Sequence, residues 1–357
     1  MKFVHFADLH LDTKFDSLNS ISGLPEKRRL EQRKVLKEII EYVEINNVDI
    51  LLISGDVYEQ KYIRKTSIDY MNKLFEKIPD TKIFIAPGNH DPFIANSFYN
   101  TFNWNENVHI FKDEVEKIEL DGVNIYGYGF GDFYCEESGV EKIKIDNPKE
   151  LNILITHGSL DGGSEDYREY NPLSKSKLKK LGFDYIALGH IHKPSYNDEE
   201  DQRIVYPGSP LSLGFDELGK HGFISGQITK ERLKLEFIET DKREFIEKEI
   251  DISECNTNEE VIELMQDTKF DIQNLYKIIL VGSRYFPLNI EEISKLCEIE
   301  NIVKIKDKTK AGIDYEAIAK ENSVKGIFVK RMLERQKEEG LDKDFVEKTI
   351  EIGLEVL

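Results

Sequence analysis

The chain has 357 residues, enough for about two domains of ordinary size with a large buried core. Its 49 basic and 68 acidic side chains give a net charge of −19, which excludes attachment to nucleic acid or anionic lipid through a general basic surface. With 39% hydrophobic and 33% charged residues and no apolar run of about 18 residues, the composition is typical of a globular protein without a membrane span.

The amino-terminal sequence and the cysteines bear on location. The start, MKFVHFADLHLD, has acidic and histidine side chains where a secretion signal would have an apolar core. The three cysteines, Cys135, Cys255 and Cys297, fit neither a disulfide framework nor a CxxC metal site. We therefore expect a protein of the reducing cytoplasm.

Apolar, β-rich runs alternate with amphipathic stretches in the first part of the chain. The predicted strands are Phe3–Ala7, Ile50–Ser54, Ile83–Ala86, Ile153–Thr156 and Tyr185–Leu188, and the predicted helices are Arg28–Ile45 and Ser67–Lys77. Further strands are expected as hairpins between Val108 and Gly129, and at Arg203–Gly208, Gly222–Ile228 and Leu233–Ile238. Because strands this apolar are covered on both faces, residues 1–240 are predicted to form an α/β mixed-sheet sandwich flanked by helices.

The rest of the chain has a different pattern. Short strands and helices alternate at Phe245–Ile250, Glu259–Met265, Tyr276–Val281, Ile290–Cys297 and Ile302–Ile305, with Thr257 and Asn289 as expected N-caps. This pattern predicts a small α+β domain over residues 241–312. Within the final segment, 313–357, apolar residues at helical spacing are interrupted at Gly340, which predicts a helical hairpin.

Five of the eight histidines lie in short polar clusters directly after predicted strands. The clusters are Asp8-Leu9-His10, Gly88-Asn89-His90-Asp91, Thr156-His157-Gly158 and Gly189-His190-Ile191-His192, and Gly55-Asp56 follows another strand. Loops at the carboxyl ends of strands in α/β sheets meet at one edge, so we expect these clusters to converge. Each cluster alone is usually a turn, whereas the ordered set of all five is specific for a metal site.

The converging side chains predict a site for two divalent ions. The expected ligands are Asp8, His10 and His192 for one ion, Asn89, His157 and His190 for the other, and Asp56 as the bridge. Mixed imidazole, carboxylate and amide donors favour Mn²⁺ as first choice, with Fe²⁺, Zn²⁺ and Mg²⁺ as alternatives. Two such ions polarise a phosphoryl group and activate water for in-line attack, which predicts phosphoester hydrolysis.

His90 follows a predicted ligand and is expected to face the substrate. We predict that it stabilises the transition state and protonates the leaving oxygen, with Asp91 orienting its ring. His5, His109 and His221 lack such a context and are expected to be ordinary strand or surface residues. Asp12 either extends the site or only forms a turn.

The ordered set DxH, GD, GNHD, H and GHxH, over residues 8–192, resembles the calcineurin-like metallophosphoesterase superfamily. The chain is more closely similar to the SbcD-type DNA double-strand-break repair nucleases through the segments 7–12, 189–192, 206–210 and 212–223. That resemblance implies a manganese-dependent nuclease, a 3′-to-5′ exonuclease on duplex ends and an endonuclease on single strands. One departure is Glu59, where many members have His or another acid; a glutamate there would orient His90 through a longer arm.

The resemblance also implies a homodimer, a capping domain at 241–312, and an SMC-like coiled-coil ATPase bound through the C-terminal helices at 313–357. The alternative for the terminal apolar stripe is that it packs on the cap.

Because a net charge of −19 opposes DNA binding, a local basic rim is needed. The candidates for substrate binding are Tyr58, Lys61, Tyr62 and Arg64, with Lys65 beside them. A second basic patch consists of Lys175, Lys177, Lys179 and Lys180. The alternative for either set is a solvated helix face. We predict weak DNA binding without the partner.

Two other functions stay open. The same clusters serve phosphodiesterases for cyclic nucleotides or other small phosphoesters, although a small substrate does not require the appendage after residue 240. A non-catalytic scaffold is the third possibility, and the complete ligand set argues against it.

Overall fold

The computed structural model describes residues 1–161, 170–197, 202–312 and 315–357, apart from the side chains at 338, 339, 344 and 355. The described chain forms two compact units, Met1–Ile246 with Ile272–Leu275, and Glu247–Asp271 with Tyr276–Leu357. The finer division at residues 240 and 312 stays a prediction. Within the described ranges, no helix combines the length and the apolar character needed to cross a bilayer.

The first unit contains two sheets. Its strands are β1 (Lys2–Phe6), β2 (Ile50–Ile53), β3 (Lys82–Ile85), β4 (Val108–Ile110), β5 (Glu116–Leu120), β6 (Val123–Tyr128), β7 (Leu151–His157), β8 (Tyr185–Gly189), β9 (Ile204–Val205), β10 (Gly222–Ile228) and β11 (Leu233–Glu239). The strand order is β11-β10-β1-β2-β3-β4 in one sheet and β5-β6-β7-β8-β9 in the other. Strands β1 to β4 are mutually parallel, as are β6 to β9, while β5, β10 and β11 pair antiparallel.

The two sheets share one buried core. Phe3 and Leu52 from the first sheet pack in the same cluster as Ile153 and Tyr185 from the second. The helices of this unit are α1 (Leu24–Asn46), α2 (Lys65–Phe75), α3 (Phe98–Thr101) and α4 (Lys175–Leu181). On the first sheet, α1 contacts β10, where the Tyr42 ring lies 5.1 Å from that of Phe223. On the second sheet, α4 adds its buried Leu178 to the cluster on the outer face. The predicted α/β sandwich flanked by helices is confirmed.

The predicted hairpins differ from the structure in one respect. Between Val108 and Gly129, β5 and β6 form an antiparallel hairpin, whereas β4 pairs parallel with β3 at the edge of the first sheet. The sequence around β4 is short and half-buried, so it has little periodicity to distinguish the two arrangements.

The second unit has a small sheet and several helices. Its elements are β12 (Phe245–Asp251), α5 (Asn258–Asp267), β13 (Leu275–Val281), β14 (Ser283–Arg284), α6 (Ile290–Leu296), β15 (Ile302–Asp307), β16 (Lys310–Ala311), α7 (Tyr315–Ala319), α8 (Val324–Glu339) and α9 (Lys343–Val356). The sheet order is β12-β13-β15. As predicted, Thr257 accepts from the backbone of Glu260 and Asn289 from that of Glu292, which caps α5 and α6.

The helices α8 and α9 form the predicted hairpin. Ser323 caps α8 through the backbone N–H of Gly326 (3.0 Å), and Gly340 ends it in the left-handed region. The buried part of the apolar stripe packs within the terminal helices, around Val329, Val346 and Ile350. Other apolar side chains of this hairpin are exposed, namely Val324, Ile327, Phe345, Ile352 and Val356.

Candidate metal centre

The polar clusters lie at the carboxyl ends of strands from both sheets of the first unit. Asp8 follows β1, Asp56 follows β2 and Asn89 follows β3, while His157 ends β7 and His190 follows β8. Parallel strands place these ends at one edge of each sheet. The sandwich therefore brings side chains that are far apart in sequence to one place.

Three overlapping groups of potential ligand atoms lie there. The groups are Asp8, His10 and His192; Asp8, Asp56 and His157; and His10, Asp56 and His90, each with its ligand atoms within 4.8 Å of one another. The Nε2 atoms of His10 and His192 are 3.1 Å apart, and Nε2 of His157 lies 3.4 Å from Oδ2 of Asp56. The same Oδ2 atom of Asp56 lies 3.7 Å from Nε2 of His10, so Asp56 lies between the two predicted ligand sets, as expected of a bridge.

Two further predicted ligands lie beside these groups. The Oδ1 atom of Asn89 is 3.0 Å from Nε2 of His157. The His190 ring lies 5.3 Å from that of His157, and its backbone N–H donates to the Asp8 carboxylate (3.0 Å). Among the described residues, His190 belongs to none of the groups within 4.8 Å, so its role as a ligand stays a prediction.

In three histidines of the centre, the Nδ1 atom has a hydrogen-bond partner outside the set of predicted ligands. Nδ1 of His10 contacts Glu59 (2.8 Å) and Nδ1 of His157 contacts the carbonyl oxygen of Ser54 (2.9 Å). Nδ1 of His192 contacts Glu217 (2.5 Å). In each case Nε2 faces the other predicted ligands. Fixing one ring nitrogen so that the other can bind a cation is characteristic of metal-ligating histidines.

The electrostatics of the centre also favour cations. Burial alone would lower the pKa of His157, but the charge of Asp56 raises it to about 9. In the same way, the hydrogen bond to Glu217 and the charge of Asp8 outweigh burial and raise the pKa of His192 to about 9. The buried carboxylates thus create a negative potential at a place lined by imidazole, carboxylate and amide donors. These residues fit divalent metal ions.

Asp91 has a different position from the predicted one. It is fully buried and accepts hydrogen bonds from the backbone N–H groups of Asp56 (3.0 Å), Val57 (2.7 Å) and Gly88 (2.7 Å), and from the Tyr99 hydroxyl (2.7 Å). Burial and the charge of Asp56 raise the pKa of Asp91 to about 7. The prediction that Asp91 orients His90 is wrong, because its oxygens hold the turns that carry Asp56 and Asn89.

Glu59 contacts the His90 ring instead, at 3.1 Å from Nδ1. The His90 side chain is 45% exposed, as a group facing a substrate must be, and its backbone N–H donates to Asp56 (2.8 Å). Partial burial would lower the pKa of His90, but the hydrogen bond to Glu59 and the charge of Asp56 raise it to about 9. His90 can therefore hold a proton for donation.

The predicted substrate-binding residues divide into two kinds. Lys61 and Arg64 are exposed, and the ammonium groups of Lys14 and Lys61 lie 4.5 and 5.5 Å from the centroid of the half-buried Tyr62 ring. We call Lys14, Lys61, Tyr62 and Arg64 the basic rim. Tyr58 is 0% exposed and packs on Tyr99, so it is a core residue and its predicted contact with substrate is wrong.

The basic rim is connected to His90 through the backbone. Gln60 donates its N–H to the carbonyl oxygen of His90 (2.9 Å), and Arg64 donates its N–H to Asp12 (3.1 Å). Asp12 also accepts from Arg33 (2.5 Å) and Ser67 (2.7 Å), so it anchors this turn rather than extending the metal centre. The second basic patch lies on α4, where Lys177 pairs with Glu141 (2.6 Å).

The sequence interpretation missed two supporting groups. Ser54 acts through its backbone carbonyl, which no residue pattern reveals. Glu217 lies in a segment noted only for its resemblance, and its position 25 residues after His192 gave no spacing signal. His221, expected to be an ordinary residue, is buried and bonds to Ser209 (2.9 Å) and to the carbonyl oxygen of Glu217 (2.8 Å).

Comparison with known proteins agrees with this geometry. The model of the calcineurin-like phosphoesterase family matches residues 1–194. An uncharacterized metallophosphoesterase, YhaO, of Bacillus subtilis is 27% identical over 75% of this chain and 67% of its own. The SbcD component of the nuclease SbcCD of Staphylococcus epidermidis is 28% identical over 72% of this chain and 77% of its own. Purple acid phosphatase PPD1 from yellow lupin seeds aligns at 16% identity over 67% of this chain and 51% of its own, with a TM-score of 0.43. Because the family model matches more than half of the sequence, this chain belongs to the calcineurin-like phosphoesterases, hydrolases that act on phosphoesters at a dinuclear metal site.

Proposed function

We propose that the protein is a metal-dependent DNA nuclease, a 3′-to-5′ exonuclease on duplex ends and an endonuclease on single strands. The observation that carries this proposal is the exposed His90, beside the candidate metal centre and next to the basic rim. A phosphodiester at the centre would place its leaving oxygen near His90 and its neighbouring phosphates near Lys61 and Arg64. The similarity to the SbcD component of a nuclease supports DNA as the substrate.

The metal ions are proposed to be two Mn²⁺. Asp8, His10 and His192 would hold one ion, Asn89, His157 and His190 would hold the other, and Asp56 is the carboxylate available to both. When bound, they supply Lewis-acid activation of the phosphoryl group and of water. His90 contributes a proton at Nε2 to the leaving oxygen, while Glu59 keeps the ring oriented and its pKa high.

A partner is proposed for the terminal helices. Phe345, Ile352 and Val356 are spaced by seven and four residues along α9, so they share one helix face, and all three are more than half exposed. A different face, with Val346 and Ile350, is buried in the hairpin. An apolar stripe of this kind suits an amphipathic helix of a partner. We propose that this partner is the coiled-coil ATPase of an SbcCD-like repair complex. The nuclease itself is proposed to be a homodimer.

The cytoplasm is the proposed location. Cys135, Cys255 and Cys297 are all free and buried, as suits a reducing compartment.

The test compares labelled duplex and single-stranded DNA with a small chromogenic phosphodiester, all with Mn²⁺. We expect degradation of DNA from 3′ ends and cutting of single strands. His90→Asn should lower the rate on DNA by about 100-fold or more, because it removes the donor of the proton to the leaving sugar oxygen. Its metal content, measured by mass spectrometry, should stay within about twofold of the wild type.

The outcomes separate the candidate functions. Turnover of only the small ester would replace the nuclease proposal with a phosphodiesterase for small substrates. Turnover of neither substrate by the metal-loaded protein would favour a scaffold. Full activity of His90→Asn would show that His90 does not donate the proton.

A further inference from the structure

An aromatic surface lies beside the candidate metal centre and has no part in the proposed hydrolysis. Its central residue is Tyr134, whose side chain is 58% exposed, and the preceding residue, Phe133, is 41% exposed. Both belong to the segment that continues β6 past its end at Tyr128.

The segment is held firmly on both sides of these rings. Phe130 donates its N–H to the carbonyl oxygen of Pro87 (2.9 Å), and its ring lies 5.6 Å from that of His157. On the other side, Cys135 pairs with Tyr170 in a short parallel bridge and accepts the N–H of Asn171 (2.5 Å). The aromatic surface therefore has a fixed position relative to the centre.

A row of rings connects this surface to a predicted ligand. The Tyr134 ring lies 6.1 Å from that of Tyr170 with 31° between their planes, and the Tyr170 ring lies 5.3 Å from that of His190 at 32°. These separations are those of interacting aromatic pairs. A flat group placed on Tyr134 would thus be separated from the His190 ring by two rings, those of Tyr134 and Tyr170.

The charges around the rings indicate which part of a substrate fits there. Asp132 and Glu136, which flank Phe133 and Tyr134 in sequence, are exposed carboxylates that repel phosphate. The cations of the basic rim lie next to His90 instead. The aromatic surface therefore suits an uncharged flat group attached to the phosphate, and in a nucleic acid that group is the base.

We propose that Tyr134 stacks an unpaired nucleobase of the strand whose phosphate lies at the metal centre. This proposal rests on the proposed nuclease function and deepens it, because it selects single-stranded or frayed ends. A base within a duplex is already stacked and paired, whereas an unpaired base offers its face to aromatic side chains.

The test uses Tyr134→Ala, with Tyr134→Phe as the variant that keeps the ring. The control is Ile45→Ala, an exposed apolar residue near the C-terminal end of α1, where the carbonyl oxygen of Asn46 bonds to Lys2 at the opposite end of β1. Each protein is assayed on a single-stranded oligonucleotide and on the same strand lacking the bases beside the scissile phosphate. Binding is followed separately in Ca²⁺ by the fluorescence of 2-aminopurine, which falls when that base stacks.

We expect Tyr134→Ala to raise KM for the intact strand by about tenfold or more, with kcat within about threefold. The abasic strand should show a similar rise with the wild type and no further rise with Tyr134→Ala, because both changes remove the same contact. Tyr134→Phe and Ile45→Ala should behave as the wild type. Quenching of 2-aminopurine should be lost only in Tyr134→Ala.

Failure of the stacking proposal and failure of the nuclease proposal give different results. If the wild type cuts the intact and abasic strands equally well and Tyr134→Ala changes neither KM, base stacking is refuted while the nuclease proposal stands. If the wild type hydrolyses only a small phosphodiester, the nuclease proposal fails. In that case quenching by the wild type but not by Tyr134→Ala would still support base stacking, and its absence would refute it.

Discussion

The carboxylate of Glu217, with 16% of its side chain exposed, is the least expected supporting group of the centre. One of its oxygens contacts Nδ1 of His192 (2.5 Å), and the other accepts from the backbone of Leu213 (3.0 Å) and from Ser209 (3.2 Å). Although burial opposes it, the hydrogen bond to His192 lowers the pKa of Glu217, so the carboxylate stays charged. Glu217 thus positions the Nε2 atom of a predicted ligand without facing the centre itself.

We predict that Glu217→Ala lowers the affinity for Mn²⁺ by about 10- to 100-fold, the usual effect of removing the hydrogen-bond partner of a ligating histidine. Isothermal titration calorimetry with Mn²⁺ on the metal-stripped full chain measures it directly. Glu236→Ala, at an exposed carboxylate on β11, is the matched control and should bind as the wild type. Equal affinities for the two variants would mean that His192 needs no support or is not a ligand.

Four of the predicted metal ligands have a strained backbone conformation. Asp8, His10, Asp56 and His190 all have positive φ angles, of 54°, 49°, 51° and 111°, a region that costs energy for residues other than glycine. The surrounding hydrogen bonds hold them there, for example that from the backbone of His10 to the carbonyl oxygen of Asp56 (2.9 Å). The sequence predicts a turn after each strand. It does not predict the positive φ angles, because none of these four residues is a glycine.

At the scale of elements, the ends of β2, β3 and β8 approach one another closely at glycines. A Cβ atom on Gly189 would collide with the carbonyl oxygen of Ser54 and would lie 2.9 Å from Nδ1 of His157. One on Gly88 would collide with the carboxylate of Asp56. The glycines of the clusters therefore let strand ends from the two sheets meet, which is what gathers the predicted ligands.

Gly189→Ala is expected to lower the free energy of unfolding by about 1–3 kcal/mol, because the colliding atom is backbone and cannot rotate away. The change should also weaken Mn²⁺ binding, since it displaces Ser54 or His157. Thermal and urea denaturation measure the first effect. Gly214→Ala is the control: its Cβ would meet only Ser17, at 3.8 Å, so little change is expected. A Gly189→Ala protein as stable as the wild type would contradict the close approach.

At the scale of the whole chain, the strands and the long helices were predictable because their apolar residues have clear periodicity. The sandwich followed from strands buried on both faces, and the caps of α5 and α6 from Thr257 and Asn289. The two-residue β9 and the edge strand β4 were not predictable in detail, because such short pieces depend on their neighbours rather than on local preference.

The sequence predicts most of the side chains that the structure brings together at the candidate centre, but not the contacts that support them. Histidines and acids directly after strands pointed to Asp8, Asp56 and His157. The contacts of Glu217, Ser54 and Asp91 depend on how turns that are distant in sequence pack together, and residue spacing does not predict this packing. For the same reason the sequence predicts Tyr58 to contact substrate, whereas its side chain is fully buried in the core.

His5 connects the two sheets through the core of the first unit. Its Nδ1 lies 2.9 Å from the Tyr185 hydroxyl on β8, and its Nε2 lies 2.7 Å from the Ser54 hydroxyl after β2. Burial lowers the pKa of His5 to about 3, so the ring is neutral in the folded protein. In the unfolded chain its pKa returns to about 6.5, and protonation there favours unfolding.

The stability that His5 contributes should therefore be complete above pH 6.5 and should be lost as the pH falls towards 3. We predict that the difference in unfolding free energy between the wild type and His5→Gln shrinks by about 1.4 kcal/mol per pH unit between pH 6 and 4. Urea denaturation at constant ionic strength, with hydrogen exchange of β1 amides reporting the first unit, measures it. Tyr185→Phe keeps the buried imidazole, so its difference from the wild type should not show this slope. Parallel stability curves for the wild type and His5→Gln would mean that His5 is protonated within the folded core.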